Sequence, residues 1–259
     1  MLLRAQKNWD AHVEHAEEIA RSAGFSGLRE RIVDLASLSG GEVVVDVGSG
    51  TGLLSLAVAG QASVVWALDS SRAMGEYLAV KAESAGLANI RPVHASAVSM
   101  PLVDEVADVV LSNYCYHELR DDQKRRALAE AYRVLKPGGR IVIGDMMFSL
   151  SATAARDRKL IVAKVRAIAR RGLPGIWRLL KNATRLMLRQ WEHPQNAAWW
   201  ERTLRDAGFR NVRVQTFAHE GGVASAVRPE EGARDQPACS PRLAGSPLLP
   251  SDAGPLARA

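Results

Sequence analysis

The sequence lacks the features of disulfide-stabilised, zinc-binding and membrane-spanning proteins. Its only two cysteines, Cys115 and Cys239, lie far apart and in unlike contexts. They therefore argue against a disulfide framework or a zinc site. No apolar run approaches the roughly 20 residues that span a bilayer, and the charged N-terminus has no apolar segment of the kind found in secretory signals. We expect a cytoplasmic protein that binds no metal.

Outside one segment the chain carries no net positive charge. The formal net charge is +6, yet residues 156–191 alone hold 11 Lys and Arg residues and a single acidic residue. Residues 1–155 carry a small acidic excess, and residues 192–259 are balanced. The basic character therefore belongs to one local segment and not to the whole chain.

The remaining sequence alternates predicted strands with predicted helices. After a helical region at 8–37, broken at 23–27, we predict strands at 42–48, 62–69, 89–96, 107–113 and 140–147. Helices at 51–60, 71–86 and 121–139 separate them, with Asp121 as N-cap and Pro137, Gly138 and Gly139 ending the third. A helix at 196–209 and strands at 211–220 and 222–229 follow, with a hairpin turn at 220–222. This alternation predicts an α/β fold with a mostly parallel, doubly wound sheet.

A glycine loop, "DVGSGTG" at residues 46–52, joins the first strand to the first helix of this pattern. Its glycines permit close backbone approach to a ligand, but the spacing matches neither the dinucleotide motif nor the Walker motif. Asp69 ends the second strand, where a carboxylate can accept both hydroxyls of a ribose. These features predict a nucleoside site. The alternatives are an ordinary strand–helix turn and, for Asp69, a helix N-cap, a role that Ser70 or Ser71 could fill instead.

Four segments, "VVVDVGSGTG", "WALDSS", "DVVLSN" and "VLKPGGRIVIGD", resemble class I S-adenosylmethionine-dependent methyltransferases in order and spacing. The similarity is nearest to small-molecule and quinone-type members. It covers residues 40–147, and the end at 197–228 fits the family's sixth and seventh strands. The resemblance implies a seven-stranded Rossmann-like domain at 39–227, with an N-terminal helical cap at 1–38 and a helical lid at 151–195. The proline-rich stretch 228–259 is predicted to be a disordered tail.

The resemblance also implies a set of S-adenosyl-L-methionine contacts. Asp46 and the loop would hold the methionine part, Asp69 the ribose, Met74 the adenine, and Asn113 would lie beside the sulfonium. Ser96 replaces the acidic residue that usually contacts the adenine amino group, and serine is a weaker acceptor. The predicted cofactor site comprises Asp46, Gly48, Ser49, Gly50, Thr51, Gly52, Asp69, Ser70, Met74, Ser96, Ala97 and Asn113.

Methyl transfer is a direct displacement, so the protein needs mainly to align the reactants and accept a proton. Within 112–119, His117 is the best candidate for a catalytic base, although a histidine beside Glu118 could simply satisfy a helix start. Tyr114, Tyr116 and Asp145 are expected to line the substrate pocket. Cys115 is interpreted as a packing residue or a substrate contact.

The basic segment 156–191 reads as two amphipathic helices separated by Gly172 and Pro174. Three interpretations of this segment are open. It is either a lid with a solvated basic face or a pair of helices on a membrane surface, with Trp177 and Trp191 at the interface. Binding of nucleic acid ranks last, because no recognition module accompanies the segment. We predict a methyltransferase with a small hydrophobic, lipid-like or quinone-like acceptor. Under the membrane interpretation of residues 156–191, it would be a peripheral protein on an anionic inner membrane face. The alternatives are a non-catalytic cofactor- or lipid-binding protein and, less favoured, a nucleic-acid methyltransferase. No sequence feature indicates an oligomeric state.

Overall fold

The computed structural model describes residues 9–20, 23–148, 158–159, 162, 165–166, 170 and 193–230. Within them lies a seven-stranded sheet of order β3-β2-β1-β4-β5-β7-β6. The strands are β1 Glu42–Val47, β2 Ala62–Asp69, β3 Ile90–His94, β4 Ala107–Asn113, β5 Leu135–Met146, β6 Arg210–Thr216 and β7 Gly221–Val227. Strands β1 to β5 pair in parallel, whereas β7 runs antiparallel to both of its neighbours. The predicted fold class, including the edge hairpin, is confirmed.

Helices cover both faces of the sheet. They are α1 Val13–Ala20, α2 Ala23–Ala36, α3 Ser55–Val58, α4 Arg72–Ser84, α5 Asp121–Val134 and α6 Ala197–Asp206, with 3-10 turns at Trp9–His12 and Tyr116–Glu118. One apolar cluster joins the sheet to α2, α3 and α4, and it includes Ile32, Val58 and Leu78. The other joins it to α5 and α6, and it includes Leu128 and Trp200. Burial on both faces explains why the strands read as continuous apolar runs.

The predicted break at 23–27 is wrong, because these residues belong to α2. Leu28, Ile32 and Ala36 recur at helical spacing and are all buried. Ile32 also fits closely over Gly144 of β5, where an added Cβ would lie 2.6 Å from Ile32 Cδ1. This packing outweighs the low helix propensity of glycine, which amounts to about 1 kcal/mol.

Several predicted boundaries also shift. The helix at 51–60 contracts to the single turn of α3, because the glycine loop uses positive φ angles up to Gly52. Helix α5 ends at Val134, so Pro137, Gly138 and Gly139 lie in β5. Arg120 takes the N-cap position, where its backbone N–H donates to Gln123 Oε1, and Asp121 becomes the first helical residue.

The predicted hairpin turn at 220–222 is displaced, because Gly221 and Gly222 open β7. A Cβ on Gly222 would lie 2.7 Å from Met147 Sδ, so this glycine permits close backbone approach inside the sheet.

Most of the predicted lid at 151–195 and most of the basic segment 156–191 fall outside the described residues, as does the tail beyond Glu230. The division of the chain into a cap, a domain and a tail therefore stays a prediction.

No helix among the described residues is long and apolar enough to cross a membrane.

Candidate functional site

The predicted site residues gather at the carboxyl ends of the parallel strands. Strand order reverses between β1 and β4, because the chain proceeds outward from β1 through β2 to β3 and then returns to β4. Gly48 follows β1, Asp69 ends β2 and Asn113 ends β4, so these residues flank that crevice. Ligands bind at this kind of switch point in open parallel sheets.

The glycine loop is tied to β2, with one glycine turned towards open space. The N–H groups of Gly48 and Ser49 both donate to Leu68 O, at 2.8 and 3.0 Å. A Cβ on Gly48 would lie 2.3 Å from Cys115 Sγ, whereas a Cβ on Gly50 would meet nothing within 4 Å. Gly50 is therefore the position where the backbone leaves room for a ligand, while Gly48 accommodates Cys115.

Two other loop residues contact the protein interior. A Cβ on Gly52 would lie 2.2 Å from Leu78 Cδ1, so this glycine serves the packing of α4. Thr51 is buried, and its carbonyl accepts a hydrogen bond from Lys81 Nζ at 3.0 Å. Gly52 and Thr51 therefore hold the loop against α4.

Asp46 organises the junction between the loop and α3. Its Oδ2 accepts hydrogen bonds from Ser55 N at 3.0 Å and Ser55 Oγ at 2.6 Å, and the residue is buried. Burial, reinforced by the neighbouring charge of Asp69, raises the pKa of Asp46 to about 7. The resemblance implied that Asp46 contacts the cofactor, whereas in the structure its Oδ2 contacts Ser55. Nothing in the sequence between residues 46 and 55 signals this pairing.

Asp69 remains available to a ligand. Its Oδ2 accepts from Gly50 N and its Oδ1 from Ser71 N, both at 2.8 Å. Burial raises the pKa of this carboxyl, yet the residue is only half-buried, and an ionised carboxylate can accept about four hydrogen bonds. Ser71 caps α4, because its Oγ accepts from Met74 N. The rival interpretation of Asp69 as the helix cap is therefore wrong.

The N-terminal helices are fastened to the same corner of the molecule. Asp10 Oδ1 accepts from Ser71 Oγ at 2.5 Å, and Lys81 Nζ contacts both Glu17 carboxylate oxygens while it holds Thr51 O. The contacts of Asp10 and Glu17 join segments more than 60 residues apart. Sequence reasoning missed them because no local pattern marks such a pairing.

Some of the residues predicted to lie near the adenine are exposed to solvent. Ser96 is exposed, and its Oγ accepts a 3.4 Å hydrogen bond from Val98 N within its own turn. Ala97 is half-buried beside it, and Met74 is buried. Ser70 is exposed, and its carbonyl accepts from His94 Nε2 at 3.1 Å.

A buried histidine–aspartate pair lies at the carboxyl ends of β4 and β5, on the other side of the β1–β4 switch point from β2. His117 Nδ1 is 2.7 Å from Asp145 Oδ1, while the His117 backbone N–H donates to Asp145 Oδ2 at 2.9 Å. Met146 N also donates to Asp145 Oδ1. Because an ionised carboxylate only accepts hydrogen bonds, Nδ1 is the donor in this pair. Glu118 Oε1 lies 3.8 Å from Nε2.

The two tyrosines that were predicted to line the substrate pocket lie in different surroundings. Tyr114 has a φ of +51°, and its ring packs edge-on against His117 at 6.1 Å. Burial, with the charges of Glu220 and Asp145, raises the pKa of Tyr114 to about 12, so the phenol stays protonated. Tyr116 is fully buried and packs edge-on against Trp200 in the core. We therefore assign Tyr116 to the core between the sheet and α6.

Cys115 sits between the two halves of the site. Burial raises its thiol pKa well above the usual value, and the carboxylates Asp69, Asp145, Asp46 and Glu118 add to that effect. A thiol with a raised pKa is mostly protonated and a poor nucleophile. This supports the interpretation of Cys115 as a packing residue.

The residues present fit an adenosyl sulfonium compound. Ser49 Oγ and Asn113 Oδ1 are buried polar atoms that have no hydrogen-bond partner among the described residues, and Gly50 faces open space. The ribose hydroxyls and the methionine ammonium of S-adenosyl-L-methionine are donors, and this corner offers the acceptors Asp69, Ser49 and Asn113. Unpartnered buried acceptors are rare in folded proteins, so they point to a bound group.

Among the residues described, no cluster of three or more His, Cys, Asp or Glu side chains could hold a metal ion.

Comparison with known proteins agrees with this geometry. A methyltransferase domain family matches residues 44–139. An uncharacterised methyltransferase of Geobacillus kaustophilus is 30% identical over 166 residues, which is 64% of this chain and 71% of the relative. A ubiquinone/menaquinone biosynthesis C-methyltransferase of Vibrio campbellii is 28% identical over 217 residues, covering 80% and 79%. A SAM-dependent methyltransferase structure from Aquifex aeolicus superposes with a TM-score of 0.59 at 19% identity, covering 85% of this chain and 98% of that one.

Proposed function

Since this chain belongs to the class I S-adenosylmethionine-dependent methyltransferases, we propose that its methyl acceptor is a small hydrophobic molecule of the hydroquinone type and that His117 is the catalytic base. The enzyme uses S-adenosyl-L-methionine, which supplies an electrophilic methyl group on a positively charged sulfur. The observation that carries the proposal is the buried His117–Asp145 pair at the carboxyl ends of β4 and β5. The similarity to a quinone-pathway C-methyltransferase supports the choice of acceptor.

A hydroquinone needs to lose a hydroxyl proton before its oxygen or adjacent ring carbon becomes a good nucleophile. Asp145 accepts a hydrogen bond from the Nδ1–H group of His117, and this tautomer leaves the lone pair on Nε2, on the far side of the ring. Nε2 can then take the hydroxyl proton, and the resulting imidazolium is stabilised by Asp145 on one side and by Glu118, 3.8 Å away, on the other. The Tyr114 ring beside His117 offers an apolar wall to an aromatic acceptor.

On the cofactor side, Asp69 would hold the ribose beside the open space at Gly50, while Ser49 and Asn113 would accept hydrogen bonds from the methionine part. The protonated Cys115 thiol separates these residues from the acceptor side without competing as a nucleophile. Alignment of donor and acceptor by these two halves is the main contribution that the protein can make to a direct displacement.

A turnover assay with an isoprenoid-tailed hydroquinone tests the proposal, with S-adenosylhomocysteine and the methylated quinol as readouts. His117→Gln is expected to lower kcat by at least about 100-fold, the usual contribution of a general base, with unchanged cofactor affinity. His15→Gln, an exposed histidine on α1, is the matched control and keeps wild-type turnover. Equal turnover in His117→Gln, or methylation of an amine probe but of no hydroquinone, would contradict the assignment.

We also propose that the basic segment brings the enzyme to an anionic membrane surface on the cytoplasmic side, where hydrophobic acceptors reside. The support is the excess of 11 basic residues over one acidic residue within 156–191. Each basic residue near such a surface contributes about 1 kcal/mol. Flotation with phosphatidylglycerol vesicles should show binding that high salt abolishes, while phosphatidylcholine vesicles bind nothing. Binding that ignores lipid charge would refute this part.

A further inference from the structure

Lys124 is a charged residue in the interior, on the first turn of α5. Its side chain is fully buried, because it lies on the same helical face as Ala127, Leu128 and Ala131. An ammonium group there faces the positive end of the helix dipole, and burial lowers its pKa. A lysine in this position is unfavourable for α5 alone, so its partners account for its presence.

Those partners are main-chain carbonyls from two separate segments. Lys124 Nζ donates to Leu119 O and to His193 O, each at 2.6 Å, and lies 3.5 Å from Asp121 Oδ1. Leu119 directly follows the 3-10 turn Tyr116–Glu118 that carries His117. His193 is the residue at which the described chain resumes ahead of α6. The ammonium therefore clamps the loop of His117 to the segment that enters α6.

A main-chain hydrogen bond runs beside this clamp. His193 N donates to His117 O at 2.7 Å, while Asp145 holds both the backbone N–H and the ring of His117. The position of His117 is thus fixed by Asp145 on one side and by His193 on the other. Lys124 secures the second of these contacts.

On the basis of the proposed function, we propose that Lys124 is a positioning residue, whose buried ammonium locks His193 and Leu119 around His117 and so keeps the imidazole in register with Asp145. Lys124 itself contacts no residue that we assign to the cofactor. Its loss should therefore disturb His117 while leaving the cofactor half of the site intact.

Lys124→Met, with Arg126→Met as the control for an exposed charge on the same helix, tests this in the full chain. Amide hydrogen exchange should become at least about tenfold faster at His193 while β1 and β4 keep their protection. Nitrogen-15 NMR should show His117 changing from one tautomer to a mixture. Unchanged exchange and tautomer would overturn the proposal, and so would an equal loss of protection across the sheet. Should Lys124→Met fail to fold, Lys124→Gln keeps an uncharged NH₂ donor group and receives the same measurements.

With the hydroquinone probe, Lys124→Met should lower kcat while the cofactor dissociation constant stays at its wild-type value. If the wild-type enzyme methylates no hydroquinone, the proposed function fails. The exchange and tautomer measurements still decide the role of Lys124, because they need no acceptor.

Discussion

The carboxyl of Asp46 makes the stability of this protein depend on pH in a way that a single substitution can isolate. It is buried, it accepts two hydrogen bonds from Ser55, and its pKa lies near 7 in the folded chain against 3.8 as the reference value. Between these two pH values the unfolded chain has released the proton and the folded chain still holds it. The free energy of unfolding therefore falls as pH rises through this window.

The magnitude follows from the size of the shift. A change of about three pKa units corresponds to about 4 kcal/mol, at 1.36 kcal/mol per unit. Asp46→Asn removes the titration but keeps an oxygen that can accept from Ser55. The stability of the variant relative to wild type should thus rise by up to about 4 kcal/mol between pH 4 and pH 7.5.

Urea unfolding at several pH values measures this difference, since equal m-values allow the midpoints to be compared directly. Asp34→Asn, an exposed carboxylate on α2, serves as the control and should follow the wild-type pH profile. If Asp46→Asn shows the same slope as wild type from pH 4 to 7.5, the carboxyl is already ionised across that range. The reasoning from burial would then be refuted.

Two further substitutions test packing in and around the site. Gly48→Ala should reduce stability by roughly 2–4 kcal/mol, since its Cβ would meet Cys115 Sγ at 2.3 Å and its φ of +72° disfavours a side chain. Adding Cys115→Ala should restore the part of the lost stability that the clash causes, as measured by thermal unfolding. If a double-mutant cycle showed no coupling between the two substitutions, the close contact would be contradicted. Tyr116→Phe removes a buried hydroxyl that has no partner among the described residues, so it should raise stability by about 1 kcal/mol. A loss of that size would mean that the hydroxyl is hydrogen-bonded in solution.

The sheet could be predicted because its strands carry buried apolar runs that end in glycine, aspartate or asparagine. Asp69 and Asn113 mark such ends, and parallel order brings their side chains to one edge. The edge hairpin followed from two short strands near the C-terminus. These signals are local in sequence.

The predictions failed where contacts between distant segments determine the position of a side chain. The positive φ of Tyr114 ends the alternation of β4, so the opposite orientations of Tyr114 and Tyr116 could not be read from strand periodicity. Asp46 pairs with Ser55 and Lys124 with His193, across intervals of 9 and 69 residues. Of these residues, only Lys124 could have been noticed in the sequence, because it is a charged residue on the apolar face of α5.

Calorimetric titration with S-adenosyl-L-methionine tests the central claim most directly. We predict that wild-type protein binds the compound with one site per chain. Asp69→Ala should weaken binding by about 100-fold, because two hydrogen bonds to a charged group together contribute about 3 kcal/mol or more. The control Asp34→Asn should bind as wild type does. No binding by the wild type, or equal binding by Asp69→Ala, would contradict the account.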